Sequence, residues 1–354
     1  MKRFALAALI LGSALACTKS NIQYEPTGEI SLQPVTEKAT KAAHTSTAYG
    51  EGAPAFNVWA WWADASPETD MDAYMASNDV TPYPYIDKGE FVHRGSGSWG
   101  GTTPYYWPTK GSLVFAGYSP SMTLGGTFGY DVKEGRFTVA DYVQSHYIDQ
   151  TVDLMWFDRT DRFYNTNNNK NGEGQSVNGV PVVFHHALSW LEFRVVRKSG
   201  VPDNWLITEL DLTGIETKAD FDSKGTPHQW TGHEATSGVR VWSGSHIARE
   251  IGTGLPEDDV LESTPHGVVV IPQEYADNAA NLVVTYNLRK YDGTENSWLR
   301  AQTKTLPLDV GTDGRTWQPG KKYIYTIVFG NNEIKISPTV EEWKDGGNVE
   351  IEVQ

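Results

Sequence analysis

Short apolar runs alternating with polar residues recur along most of the chain, each closed off by Gly, Pro, Asn or Asp. They include Phe56–Trp62 (FNVWAWW), Ser112–Tyr118, Asp153–Phe157, Leu191–Val196, Trp205–Ile215 and Val239–Trp242. Further on come Val268–Ile271, Leu282–Leu288, Tyr323–Phe329, Ile334–Val340 and Val349–Val353. Runs this short, rich in β-branched and aromatic residues and bounded by turn formers, have the pattern of antiparallel strands. No segment sustains a helical period of about 3.6 residues for several turns, and His185 to Trp190 allows one irregular turn at most. An all-β fold is expected. The 354 residues exceed one ordinary domain of ~100–200 residues, so two sandwiches of about seven strands each are expected. The least strand-like stretch, Lys218 to Gly238, places the division between 28–230 and 231–354; Asn165–Gly179 is the other candidate break.

The first residues, MKRFALAALILGSALAC, join a positive Lys2-Arg3 start to an apolar stretch and then small residues leading to Cys17. That is the layout of a secretory signal over 1–16, and the run is too short for a membrane span. Ala14-Leu15-Ala16-Cys17 resembles a bacterial lipobox, with Ala14 where Leu, Val or Ile is usual. The resemblance implies that Cys17 is acylated and becomes the new N-terminus, holding the protein on the outer membrane. Cys17 is the chain's one cysteine, so the mature protein would carry neither a free thiol nor a disulfide. Each buried acyl CH₂ contributes about 0.8 kcal/mol, enough for several chains to hold a soluble ectodomain through a polar tether over 17–27. The net charge of −15 excludes nucleic acid as a partner, because phosphate affinity comes from Lys and Arg.

Catalytic spacings are missing. The sequence holds no HExxH, GxSxG or GxxxxGK[ST], and no enzymatic activity, cofactor or metal is expected. His185 and His186 are neighbours, which in a strand point to opposite faces and cannot share a metal; His186 is expected in the core, satisfied by backbone groups, and His185 at the surface. The run Asn167, Asn169, Asn171, Gly172 imitates the start of a calcium loop without its carboxylates. Flat aromatic rings at Trp59, Trp61, Tyr106 and Trp107 can stack on sugars or a partner protein if exposed. Equally, they can pack a sheet face under a loop or second domain. A surface lipoprotein that binds glycans through them is the alternative reading.

Several segments in order resemble the fimbrillin family of the Bacteroidales. Trp107-Pro108 with Leu113 to Pro120 is similar to one family segment, and Val182 to Leu188 running on to Leu191–Val195 is similar to a second. Val270-Ile271-Pro272-Gln273, Trp317 to Tyr325 and Val340-Glu341-Glu342-Trp343 supply the rest. The resemblance implies two tandem transthyretin-like or Greek-key β-sandwich domains and a role as a type V pilus subunit, partnered by other fimbrillin subunits. It also implies export as a lipoprotein, removal of an N-terminal strand by a protease, and filling of the vacated groove by a neighbour's C-terminal strand. The leaving strand it points to lies in 28–41, with Ile30 and Leu32 on one face and Val35 beyond. Thr40-Lys41-Ala42 resembles the processing site, with Lys41 where the family has Arg, leaving a lysine-specific cut or none. The candidate donor strand lies in 344–354: Val349, Ile351 and Val353 alternate with Glu350 and Glu352 after the Gly346-Gly347 hinge. Extended, the segment after Trp343 reaches roughly 36 Å. Pairing of Val349–Val353 within its own domain is equally open.

Overall fold

The computed structural model describes residues 28–36, 47–49, 52–65, 69–77, 79–95, 97–122, 125–145, 152–163, 179–201, 205–235, 238–253, 261, 268–274, 279–291, 296–298, 300–308, 316–330 and 334–342. Among these residues the protein is almost wholly β, with a single six-residue helix, Met71–Ala76 (α1). Asp70 caps α1, its carboxylate accepting from the Asp72 and Ala73 backbone amides at 3.1 and 3.2 Å, which satisfies amides left without intrahelical partners. No described helix is long and apolar enough to cross a membrane.

The N-terminal body is one eight-stranded sheet that closes on itself. Its strands are β1 (Ser31–Thr36), β2 (Thr47–Ala48), β3 (Phe56–Ala63), β4 (Tyr83–Gly95), β5 (Ser98–Gly101), β6 (Ser112–Ser119), β9 (Met155–Phe163) and β10 (Val180–His186). They run in the order β10-β9-β6-β3-β4-β5-β1-β2, and β1 also pairs with β10, which joins the two ends. Inside lies a core of Ile30, Leu32, Phe56, Phe91, Trp99, Phe115, Phe157 and Phe184, among others. Every residue of β6 is buried. Leu113 and Phe115 face the inside, Val114 lies under Met71 and Met75 of α1, and Tyr118 packs beneath a second sheet. That explains why β6 reads as a continuous apolar run without alternation.

The second sheet has four strands, in the order β14-β13-β8-β7: β7 (Thr127–Asp131), β8 (Arg136–Val143), β13 (Glu216–Asp222) and β14 (Trp230–Ala235). It closes a third core on the outer face of the barrel, where Trp59, Tyr118 and Trp156 meet Phe137, Phe221 and Trp230. The stretch expected to be the least strand-like thus holds much of a hairpin. Its polar look arises because Thr217, Ala219 and Phe221 point inward while Lys218 and Asp220 point out.

The C-terminal body is a sandwich. One sheet joins β11 (Ser189–Arg197), β16 (Arg249–Glu250), β17 (Val268–Val270), β21 (Lys321–Phe329) and β22 (Ile334–Glu342). The other joins β12 (Trp205–Thr213), β15 (Val239–Ile247), β18 (Asn281–Tyr291), β19 (Asn296–Trp298) and β20 (Gln302–Pro307). Between them Leu191, Phe193 and Leu210 share a core with Tyr325, Ile327 and Phe329. The expected division at 230/231 is therefore corrected. β11 and β12 belong to the C-terminal core, so the change of body falls at Ala187-Leu188, and β13–β14 reaches back to pair with β8.

Candidate functional site

The residue that starts the site is Ile30. Its amide donates to the Tyr105 carbonyl at 2.7 Å, and the Trp107 amide donates to the Gly28 carbonyl at 3.1 Å. Glu29 bridges to Tyr106 between them. The Tyr105–Trp107 segment is thus a backbone strap on the entry of β1. Beyond the strap, β1 runs antiparallel to β5 with Ser31 opposite Gly100 and Leu32 opposite Trp99. It then runs antiparallel to β2, Val35 facing Ala48 and Thr36 facing Thr47. Its other edge pairs in parallel with β10, from Leu32 against Val180 to Thr36 against Phe184. Both edges are occupied, so β1 is an interior strand of the wall.

Alternation along β1 is strict on its inner face. Ile30 and Leu32 are wholly buried, Pro34 is buried, and Thr36 is 2% exposed. Pro34 fits an interior strand because its carbonyl, which accepts from Tyr49 N at 3.2 Å, shows which edge its nitrogen faces. That edge is the gap between the β5 and β2 pairings, where a missing N–H costs no ladder bond. Around the slot, Tyr49 stacks on Phe184 at 5.1 Å and meets Trp99 edge-on at 5.1 Å. Phe56 lies 5.2 Å from Trp99 and 5.3 Å from Phe184. The backbone approaches closely too: a Cβ on Gly179, whose φ is +131°, would lie 2.6 Å from the Ser31 carbonyl. Only glycine leaves room there.

The four aromatic candidates are not brought together. Trp59 is buried at 6% exposure, against Tyr118 and Tyr130. Trp61 is half-buried, 5.4 Å from Tyr130. Trp107 is buried at 8% and meets Phe115 edge-on at 5.8 Å. Tyr106 is exposed, and its carbonyl accepts from the Tyr85 hydroxyl. These rings do not form one flat platform: the four-stranded sheet covers Trp59 and Trp107 fills the barrel, while Tyr106 stays exposed and Trp61 half-buried. The segment holding Tyr106 and Trp107 matters through its backbone, which no side-chain pattern reveals.

His186 is buried as expected, but its Nδ1 lies 2.7 Å from Asp153 Oδ2, so a carboxylate stands where backbone partners were expected. His185 is half-buried against Trp156 at 5.0 Å. This pair marks the seam between the bodies, where Trp230 Nε1 donates to the Ala187 carbonyl at 2.6 Å. Nearby, burial pushes the Tyr142 phenol well above its ordinary pKa, and the Asp153 charge adds to it. Among the described residues no group of three or more His, Cys, Asp or Glu could hold a metal ion. Cys17, Lys41, Ala42, Val349, Ile351 and Val353 lie outside the described residues.

A closed wall sealed by its own first strand, joined to an all-β sandwich, defines the class of architecture. The fimbrillin-like family matches residues 40–343. The chain belongs to that family. Among solved structures it is similar to a fimbrial protein from Bacteroides vulgatus, at 16% identity and a TM-score of 0.57, covering 89% of this chain and 99% of the other. It is also similar to a candidate cell adhesion protein from Bacteroides uniformis, at 16% identity and a TM-score of 0.51, covering 90% and 98%. At that identity the likeness concerns the fold. No curated protein matches the chain.

Proposed function

We propose that this protein is a structural and adhesive subunit of a cell-surface fimbria, exported as a lipoprotein through Cys17 and assembled by strand replacement. Release of 28–41 by a cut at Lys41 empties the slot, and another subunit's strand fills it. The observation that carries this reading is the double pairing of β1. Taking it away leaves β10 on one side and β5 and β2 on the other with open hydrogen-bonding edges, above a floor of Phe56, Trp99 and Phe184. Open edges over an apolar floor recruit a strand. The family match begins at residue 40, after β1, which agrees with a body that persists once the first strand is gone. Membership of the fimbrillin-like family and the fimbrial protein among the similar folds support the same reading.

The test is to treat the purified precursor with a lysine-specific protease and run the product on non-boiled gels. Trimming at Lys41 followed by a ladder of oligomers is the expected result. A trimmed protein that stays strictly monomeric at high concentration contradicts strand replacement. Intact mass of the protein taken from cells reports acylation of Cys17 separately.

A further inference from the structure

Away from the slot, the rim of the barrel carries an aromatic pair that packing does not use up. Tyr83 opens β4 directly opposite Trp62 of β3, so the two side chains leave the same face of the sheet with their Cβ atoms about 5 Å apart. Trp62 is half-buried against the edge of the barrel core. Tyr83 is 65% exposed, the most exposed large hydrophobic side chain among the described residues. The Trp62 ring is held before any ligand arrives. Its Nε1 donates to the Lys110 carbonyl at 2.8 Å, and a Cβ on Gly111 would lie 2.6 Å from that nitrogen. Tyr85 is tied down as well, its hydroxyl donating to the Tyr106 carbonyl at 2.5 Å. Beside the pair, exposed Lys110 and Asp64 form an ion pair at 3.4 Å, and the Lys110 ammonium lies 5.6 Å from the Trp62 ring centroid.

We propose that Trp62 and Tyr83, with Asp64 and Lys110, form a binding site for a neutral glycan built of hexopyranose units. This gives a ligand to the adhesive role proposed above and rests on that role, not on strand replacement. A pyranose ring presents a face of C–H groups and a rim of hydroxyls. The C–H face packs on flat, pre-set aromatic rings, which bury much area at little entropic cost. Each hydroxyl both donates and accepts, so one can donate to the Asp64 carboxylate while its neighbour accepts from Lys110. Other occupants suit the rim less. A Pro-rich peptide docks on aromatic grooves, but its carbonyls need donors, and the Trp62 indole and Tyr85 hydroxyl already donate within the protein. An organic cation over Trp62 meets the Lys110 ammonium, which lies within the ~6 Å reach of a cation–π contact. An anionic membrane surface repels a chain of net charge −15. The Lys110–Asp64 pair carries no net charge, which favours a ligand with none.

Retention of the uncut full chain on an array of neutral oligosaccharides of glucose, galactose and mannose tests the site. Sialylated oligosaccharides and phosphatidylglycerol vesicles are run alongside, with Cys17→Ser keeping any acyl chain out of the vesicle arm. Retention on a neutral oligosaccharide is expected, unchanged by added salt because screening acts on charges. Tyr83→Ala should lower it about tenfold and Asp64→Ala several-fold. Both side chains are exposed, so both variants should unfold at the parent's denaturant midpoint. Retention on no neutral oligosaccharide overturns the proposal and leaves the lysine-protease test of assembly untouched. Retention that Tyr83→Ala does not change overturns the site. Retention on the sialylated set alone overturns the neutral ligand. Vesicle binding that Tyr83→Ala abolishes, without glycan retention, makes the rim a membrane contact and overturns the glycan.

Discussion

Single residues decide how well the slot holds its strand. Leu32 is wholly buried opposite Trp99, so Leu32→Ala should lower the stability of the uncut protein by about 2–5 kcal/mol, read by denaturant unfolding. The same substitution should have no effect once β1 has been cut out and replaced. Gly179→Ala places a methyl against the Ser31 carbonyl at a φ that side chains rarely adopt and should cost about 1–3 kcal/mol. Tyr142 carries a pH dependence. Its folded pKa lies above the unfolded value of about 10, through burial first and the Asp153 charge second. Below pH ~10 the phenol is protonated in both states and contributes no slope. Above it only the unfolded chain ionises, so stability should fall as pH rises. Tyr142→Phe should flatten part of that fall in unfolding titrations. Burial raises Tyr118 and Tyr286 as well, so some slope should remain.

At the scale of elements, β11 and β21 are the parallel pair at the centre of their sheet, and their outer face buries a charge. Glu192 accepts from Arg194 Nε at 2.7 Å and pairs with Lys322 Nζ at 2.6 Å, while Lys322 sits 4.1 Å over the Trp190 ring. Removing the carboxylate strands two cations in a half-dry site. Glu192→Ala should therefore cost about 3 kcal/mol, and Glu192→Gln less, in the same unfolding assay. The strands legible in the sequence were those packing large apolar residues, such as β3, β6, β18 and β21. Others were missed although they bury large apolar residues, Phe91 in β4, Trp99 in β5, Phe137 in β8 and Phe221 in β13, because small, polar or charged residues break the apolar run. β13 buries Thr217 and Ala219, and β5 reads Ser-Trp-Gly-Gly because its neighbours approach too closely for side chains. β1 was expected only through the family resemblance, on Ile30, Leu32 and Val35. Its strap was not, because the strap works through carbonyls and amides that every residue carries.

Among the described residues there are three large cores and a small one beneath α1 rather than two, and the one that both halves share explains the misplaced boundary. Strands of both halves surround Phe137, Phe221, Trp230 and Ile271, so the chain crosses between bodies more often than composition can show. The C-terminal sandwich has a core of its own, so loss of β1 should loosen the barrel while leaving that sandwich folded. Hydrogen exchange on the protein before cleavage, after cleavage, and after assembly tests this most directly. Strand replacement predicts that amides of Ser98–Gly101 and Val180–His186 lose protection when β1 leaves and regain it in the oligomer, with Lys321–Phe329 protected throughout. Protection along Ser98–Gly101 and Val180–His186 that does not change on release of β1 would contradict the claim that this strand is the replaceable part of the wall.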